Sequence, residues 1–188
     1  LLATLRARGE TAEEIRGFAN EMRQLAREFS SPPDLLACDS VGTGGDDSGS
    51  FNISPGAALL AAACGVPMIK HGNRSVSSTS GSADVLEALG VNLDLTPEQV
   101  GACVKEVGIG FLFAPMLHGA MTHAIGPRRE IGVRTMFNVL GPLTHPAGAN
   151  GQLLGVYSPD LCEKLANVLG RLGSRRALVV CGAGNVDE

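Results

Sequence analysis

No stretch of this sequence is long and apolar enough to cross a bilayer: the longest apolar run, Ala57 to Val66, is short and broken by Cys64 and Gly65. A basic segment followed by an apolar one is missing from the start, so no secretory signal is read there. Positive charge is not in excess. Fifteen Lys and Arg against nineteen Asp and Glu give a net charge of -4, which leaves no general electrostatic reason to bind nucleic acid or an anionic membrane. Paired cysteines are lacking as well: Cys38, Cys64, Cys103, Cys162 and Cys181 are scattered and odd in number, with no C-x-x-C. That pattern gives no sign of a disulfide framework or a zinc site and fits buried, reduced thiols in a cytoplasmic protein. Neither repeats nor low-complexity tracts occur. What remains is a globular composition, 188 residues with 44% apolar side chains, enough for a sizeable core. The chain starts on Leu1 rather than Met and stops on Asp187-Glu188 just after a glycine-rich turn; the expectation is a fragment of a longer protein.

Thr11-Ala-Glu-Glu14 reads as a capping box, and Ile15, Phe18, Met22 and Leu25 follow at helical spacing, which predicts a helix to about Phe29. Leu1 to Arg8 reads as the end of another helix. Ser30-Ser-Pro-Pro33 is a stiff, extended linker, because each proline fixes its own φ and turns the residue before it away from helix. A boundary is placed there, with 1–33 as part of a helical domain and linker, and 34–188 as an α/β domain incomplete at its C-terminus. Some helices in the middle are allowed to belong to the helical piece. From Leu35 on, short apolar runs alternate with helical ones, the pattern of parallel strands joined by crossover helices. Candidate strands are Leu36 to Val41, Pro67 to Lys70, Gly110 to Phe113, Leu153 to Tyr157 and Ala177 to Cys181. Ser54-Pro55, Thr96-Pro97 and Ser158-Pro159 each place a capping hydroxyl before a proline that suits the first helical position. Gly90, Gly108 and Gly173 are candidate C-terminal caps. The fold class is α/β: a small N-terminal helical part packed on a larger, mainly parallel sheet flanked by helices.

Three segments carry chemistry, each just beyond a candidate strand. Val41-Gly-Thr-Gly-Gly-Asp46 precedes Phe51-Asn-Ile-Ser54 and a helix start. Glycines let backbone N–H groups converge on phosphate oxygens, and a helix N-terminus adds unpaired donors. Taken alone, the segment also fits an ordinary glycine-rich turn; it is neither a Walker A loop nor a dinucleotide fingerprint. Lys70-His-Gly-Asn-Arg74, Ser75-Val-Ser-Ser78 and Ser80-Gly-Ser82 collect cations and hydroxyls where open α/β sheets bind ligands. A solvated charged loop is the alternative. Gly182-Ala-Gly-Asn-Val-Asp187-Glu188 ends in adjacent carboxylates that suit Mg²⁺, or simply form a solvated acidic end.

These motifs, in this order, resemble the anthranilate phosphoribosyltransferase family, and the resemblance continues through Ile109-Gly-Phe-Leu-Phe-Ala-Pro115, Gly132-Val-Arg-Thr135 and Phe137-Asn-Val-Leu-Gly-Pro-Leu143. It implies transfer of the 5-phosphoribosyl group from phosphoribosyl pyrophosphate (PRPP) to anthranilate, in tryptophan biosynthesis. It further implies that PRPP is contacted by Gly42, Gly45, Asp46, Ser50, Asn52, Ile53, Ser54, Pro55, Lys70, His71, Gly72, Asn73, Arg74, Ser75, Val76, Ser77, Ser78 and Ser82. Anthranilate would meet Gly42, Asn73 and Arg128, with His118 near its entrance. Ser54, Asp187 and Glu188 would hold Mg²⁺, two ions in the family, and no general base is assigned. A homodimer through N-terminal helices of the full-length protein is implied too. His71 could instead be a structural hydrogen-bonder, and His123 and His145 read as structural or solvated.

The sequence departs from the family at Pro55, where Thr is usual, at Gly119 in place of Pro, at Gly126-Pro127, which shifts a proline by one position before Arg128, and at His145 in place of Asn. Two other functions are weighed. A pyrimidine nucleoside phosphorylase would share Gly42-Thr-Gly-Gly-Asp46 but leave Asp187-Glu188 without a purpose. A non-catalytic relative that binds nucleic acid is opposed by the charge of -4.

Overall fold

The computed structural model describes residues 1–29, 35–44, 49, 51–75 and 80–187. Two helices, α1 (Leu2–Arg8) and α2 (Ala12–Gln24), lead into a sheet of β1 (Cys38–Gly42), β2 (Met68–Gly72), β3 (Ile109–Phe113), β4 (Gly151–Gly155) and β5 (Arg176–Val180). Between β1 and β2 lies α3 (Ile53–Ala63). The crossover to β3 contains α4 (Ser82–Ala88) and α5 (Pro97–Val107), and β3 is followed by α6 (Ala114–Leu117), a 3-10 turn at Gly119–Met121, α7 (Thr122–Ile131) and α8 (Phe137–Leu143). The last crossover is α9 (Asp160–Arg171).

All strand pairs are parallel and run in the order β3-β2-β1-β4-β5. Successive strands therefore build away from β1 in one direction and, from β4 on, in the other. Such a reversal puts the loops after β1 and β4 on diverging paths at the carboxyl edge of the sheet, where open α/β sheets form crevices. No helix among the described residues is long and apolar enough to cross a membrane.

Local chemistry accounts for several boundaries. The Thr11 hydroxyl accepts the Glu14 N–H while the Glu14 carboxylate takes the Thr11 N–H, and Thr96 with Gln99 closes the same box at α5 ahead of Pro97. Gly108, at φ 79°, ends α5 in the left-handed conformation that only glycine adopts freely. Three expectations shift. The helix after Thr11 ends at Gln24 instead of Phe29, because the Arg27 N–H turns out to the Leu117 carbonyl and Phe29 is buried against β2 and β3 residues. Pro55 is the third residue of α3 rather than its first, a position still within the turn whose N–H groups lack intrahelical partners. The Ser158 hydroxyl does not cap α9; the Ser158 carbonyl instead accepts from Leu161 N–H.

The core lies mainly on one sheet face. Leu5, Ile15 and Ala19 of α1 and α2 pack with Val139, Leu140 and Leu143 of α8, Leu154 of β4, and Leu165, Val168 and Leu169 of α9. Ile69 and Leu112 meet Val100 and Val104 of α5 on the same face, where Gly110 leaves no room for a Cβ, which would sit 2.6 Å from Val100 Cγ1. On the opposite face Phe111 packs with Ala83 and Leu86 of α4.

Candidate functional site

The three segments singled out in the sequence all emerge at the carboxyl edge of the sheet. After β1 the chain turns through Thr43, whose N–H donates to the Gly155 carbonyl at the end of β4 (3.0 Å), and Gly44 at φ 71°. Asp187, reached from β5 through a turn closed by Gly182 N–H to Val186 O (2.7 Å), lies back across β4 on this loop. Its Oδ2 accepts the Gly44 N–H and stands 3.4 Å from Thr43 Oγ1. The approach requires glycine at 42: a Cβ there would fall 2.6 Å from the Asp187 carbonyl and 2.8 Å from its Oδ2. Glycine at 42 is thus explained by a carboxylate from 145 residues downstream, not by its own backbone angles.

Beyond β2, Asn73 caps its own turn, with Oδ1 accepting the Arg74 N–H (2.7 Å), and its carbonyl receives Ala83 N–H at the start of α4. Asp84 Oδ2 takes both the Ser75 N–H (3.0 Å) and the Gly81 N–H (2.8 Å), closing the loop on itself. Gly81 packs so tightly on this turn that a Cβ would lie 2.4 Å from Ser75 N. Asn52 Nδ2 donates to the Ser80 carbonyl (3.2 Å), tying the loop before α3 to the loop before α4. Ser82 Oγ is 3.5 Å from the Asn73 carbonyl.

The two cations of this segment are already engaged. Arg74 forks onto Glu87 (2.6 and 2.8 Å), reaches Asp84 (3.1 Å) and lies over the Phe113 ring; the carboxylates push its guanidinium further up. Lys70, 2% exposed, turns inward and donates to the Ser40 carbonyl (2.5 Å) and Ser54 Oγ (3.2 Å).

On the other face of β2, His71 meets His118 and His145 edge-on, with ring centroids 5.2 and 5.6 Å away. Burial, followed by the charges of His145, His118 and Lys70, pulls the His71 imidazole well below its ordinary value; burial also lowers that of His118. Asp39, buried beside them, has its carboxyl raised by desolvation against the opposing pull of His145 and Lys70. His118 also lines a cavity of about 230 Å³ with Met22 and Leu25 from the N-terminal helices, Met121, His123 and Ala124, and Phe137. Arg128 stacks over Phe137, 5.3 Å from its centroid, and burial lowers its guanidinium.

The sequence-level candidates therefore fall in three groups. Gly42, Asn52, Ile53, Ser54, Pro55, Lys70, His71, Gly72, Asn73, Arg74, Ser75, Ser82 and Asp187 gather along the carboxyl ends of β1, β2 and β5. His118 lines the cavity on the helical side, and Arg128 stacks on Phe137, which lines it too. Gly45, Asp46, Ser50, Val76, Ser77, Ser78 and Glu188 lie outside the described residues. Sequence reasoning passed over Asp39, Thr43, Asp84 and Glu87, and read His145 as structural or solvated. A lone carboxylate inside the apolar run Leu36-Ala-Cys-Asp-Ser-Val41 was the available signal for Asp39.

Residues 35–188 match the model of the glycosyl transferase family, a/b domain. The anthranilate phosphoribosyltransferase of Pelotomaculum thermopropionicum is 60% identical over all 188 residues, which span 54% of that protein. That of Thioalkalivibrio sulfidiphilus is 61% identical over 187 residues, 55% of its length. Among solved structures, the Thermus thermophilus anthranilate phosphoribosyltransferase superposes over the whole chain with TM-score 0.93 at 52% identity, and the chain covers 56% of it. The Saccharomyces cerevisiae enzyme in complex with PRPP and Mg superposes with TM-score 0.91 at 33% identity, with 53% of it covered. The chain thus spans about half the length of the curated relatives it matches. It belongs to the glycosyl transferase family of this α/β domain, and the relatives it resembles there are anthranilate phosphoribosyltransferases.

Proposed function

We propose that the protein to which these residues belong transfers the 5-phosphoribosyl group of PRPP to the amine of anthranilate. The observation that carries the reading is the seat of Asp187 on Gly42–Gly44: a carboxylate brought from beyond β5 onto the glycine turn after β1, at the crevice of a doubly wound sheet. Glycine turns at such a crevice suit anions, and a carboxylate among them is tolerated where a cation lies between. Structures of the Saccharomyces cerevisiae relative, one in complex with PRPP and Mg and one with 4-fluoroanthranilate, support the same pairing of ligands.

In this reading PRPP lies across the loops that follow β1 and β2, with Asn52 fixing their separation. The donor set fits Mg²⁺ in kind, since Asp187 and Ser54 offer oxygen. Mg²⁺, as two ions with Glu188 completing the set, would offset charge developing on the leaving pyrophosphate. Lys70 holds Ser54 in place from below and contributes positive charge to the cradle without being exposed to it. Anthranilate enters by the cavity at His118 and Phe137, a space large enough for one aromatic ring, with Arg128 answering its carboxylate. The amine nitrogen bonds to ribose C1 as the C1–O bond to pyrophosphate breaks. Attack leaves the nitrogen cationic and acidic, so its proton departs without a strong base, and positioning plus charge stabilisation carry the rate.

The test mixes PRPP, Mg²⁺ and anthranilate with a polypeptide spanning the full length of the relatives and follows anthranilate fluorescence. Loss of signal that stops on chelation of Mg²⁺ is expected. A folded protein that leaves the fluorescence unchanged refutes the reading.

A further inference from the structure

β2 pairs with β3 over five residues and β1 with β4 over five, yet β1 and β2 share one register pair, Cys38 with Met68. In a parallel strand alternate residues turn their N–H and C=O to the same neighbour. Pro67 faces β1, because its carbonyl accepts from Cys38 N–H; Ile69 and His71 must face β1 too, and Ser40 must face β2. Past the Cys38–Met68 pair no further register pair joins the two strands, and three backbone groups there are met by side chains. His145 Nε2 donates to the Ile69 carbonyl (2.7 Å), Asp39 Oδ1 accepts the His71 N–H (3.2 Å), and Lys70 Nζ donates to the Ser40 carbonyl (2.5 Å). Side chains have replaced the ladder, and the strands part where the two loops of the site begin.

The tautomer of His145 follows from its neighbours: Nδ1 accepts the Ala147 N–H (3.1 Å), so Nε2 bears the proton given to Ile69. Asp39 Oδ2 stands 3.9 Å from the same Nε2, and it has no hydrogen-bond partner among the described residues. A buried carboxylate oxygen left unpaired costs stability, and a plain sheet ladder would have avoided it. The fold tolerates the cost at a strand pair that opens into the site.

We infer that Asp39 and His145 are positioning residues, which hold the end of β2 apart from β1 and so set the separation of the Gly42–Gly44 loop from the Lys70–Ser75 segment that grips PRPP. The inference rests on the phosphoribosyl reading above. Neither residue touches a substrate; each acts through the β2 backbone.

His145→Leu removes the donor to Ile69, whereas His145→Gln offers an amide N–H in its place. Made in the full-length polypeptide, His145→Leu is expected to raise the KM for PRPP about tenfold, as displacement of a binding group does, with the KM for anthranilate changed by less than about twofold. His145→Gln is expected to recover most of the loss. Should His145→Leu fail to fold, Asp39→Glu decides, since it keeps charge and acceptor but lengthens the arm under His71; a selective rise in the PRPP KM is again expected. Folded variants with an unchanged PRPP KM, or with both KM values moved equally, overturn the inference. A parent enzyme without turnover removes the phosphoribosyl reading itself, and this inference with it, whereas an active parent with indifferent variants removes the inference alone.

Discussion

His71 and His118 face each other edge-on at 5.2 Å, each with a buried Nε2 that has no partner among the described residues. Both imidazoles are held below the ordinary value of 6.5, chiefly by burial. The unfolded chain therefore binds protons near pH 6.5 that the folded chain refuses, and stability from these groups is complete above that pH and is lost as pH falls below it. Asp39 works in the opposite sense: its raised carboxyl makes the folded state the better proton binder, so acid relieves its burial. Replacing one histidine separates the two effects. His118→Gln is expected to flatten the fall of Tm between pH 6.5 and about pH 5 relative to the parent, because one of the refused protons no longer counts. Parallel Tm profiles for parent and variant would show that His118 is protonated as readily in the folded chain as in the unfolded one.

Elements differ in how openly the sequence declared them. The five strands were legible because each is a short, largely apolar run set between helical segments and turn residues, and each stands within about two residues of its expected position. The 114–143 region was not legible. Its helices α7 and α8 carry Pro127 and Pro142 inside them, with Gly126 and Gly141 alongside, residues that locally argue against helix; in α8 they are overruled by burial of Val139, Leu140 and Leu143 in the core. Of the site, the backbone-directed part was readable from glycines and hydroxyls, whereas the contact of Asp187 with Gly42 and the pairing of Arg74 with Glu87 depend on packing that spacing does not reveal. Arg23 is another such contact. It donates Nε to the Leu143 carbonyl (2.7 Å) and a terminal nitrogen to the Leu172 carbonyl (3.1 Å), so one side chain of α2 satisfies the C-terminal ends of α8 and α9 together. Arg23→Ala should cost about 2–3 kcal/mol in chemical denaturation, since two half-buried charge-assisted bonds are lost. Arg23→Lys should recover only part, because an ammonium lacks the planar fork that reaches both carbonyls; full recovery by Lys would mean that charge alone, not the fork, joins the helices.

At the scale of the whole molecule the sheet is covered unevenly. On the face toward α2, α8 and α9, Leu154 is 0% exposed, whereas on the opposite face the neighbouring positions Leu153 and Leu178 are 42% and 67% exposed, and β5 is an edge strand among the described residues. Register places Leu153 beside Leu178, so the two form a contiguous apolar strip. Strand chemistry is the same for all three leucines, and only their surroundings differ. Their energetic weight in this chain must then follow the covering helices rather than the strand sequence. Leu154→Ala should destabilise the chain by about 2–5 kcal/mol, as deletion of a fully buried leucine does. At this chain length that corresponds to a fall in Tm of roughly 2–4 °C for each kcal/mol. Leu178→Lys should stay within about 0.5 kcal/mol, since no packed neighbour is lost and an edge-strand lysine is well solvated. Both values are read from denaturant midpoints at unchanged slope. If Leu178→Lys proved as costly as Leu154→Ala, the outer face would have to be packed in solution, and the one-sided core described for these residues would be wrong.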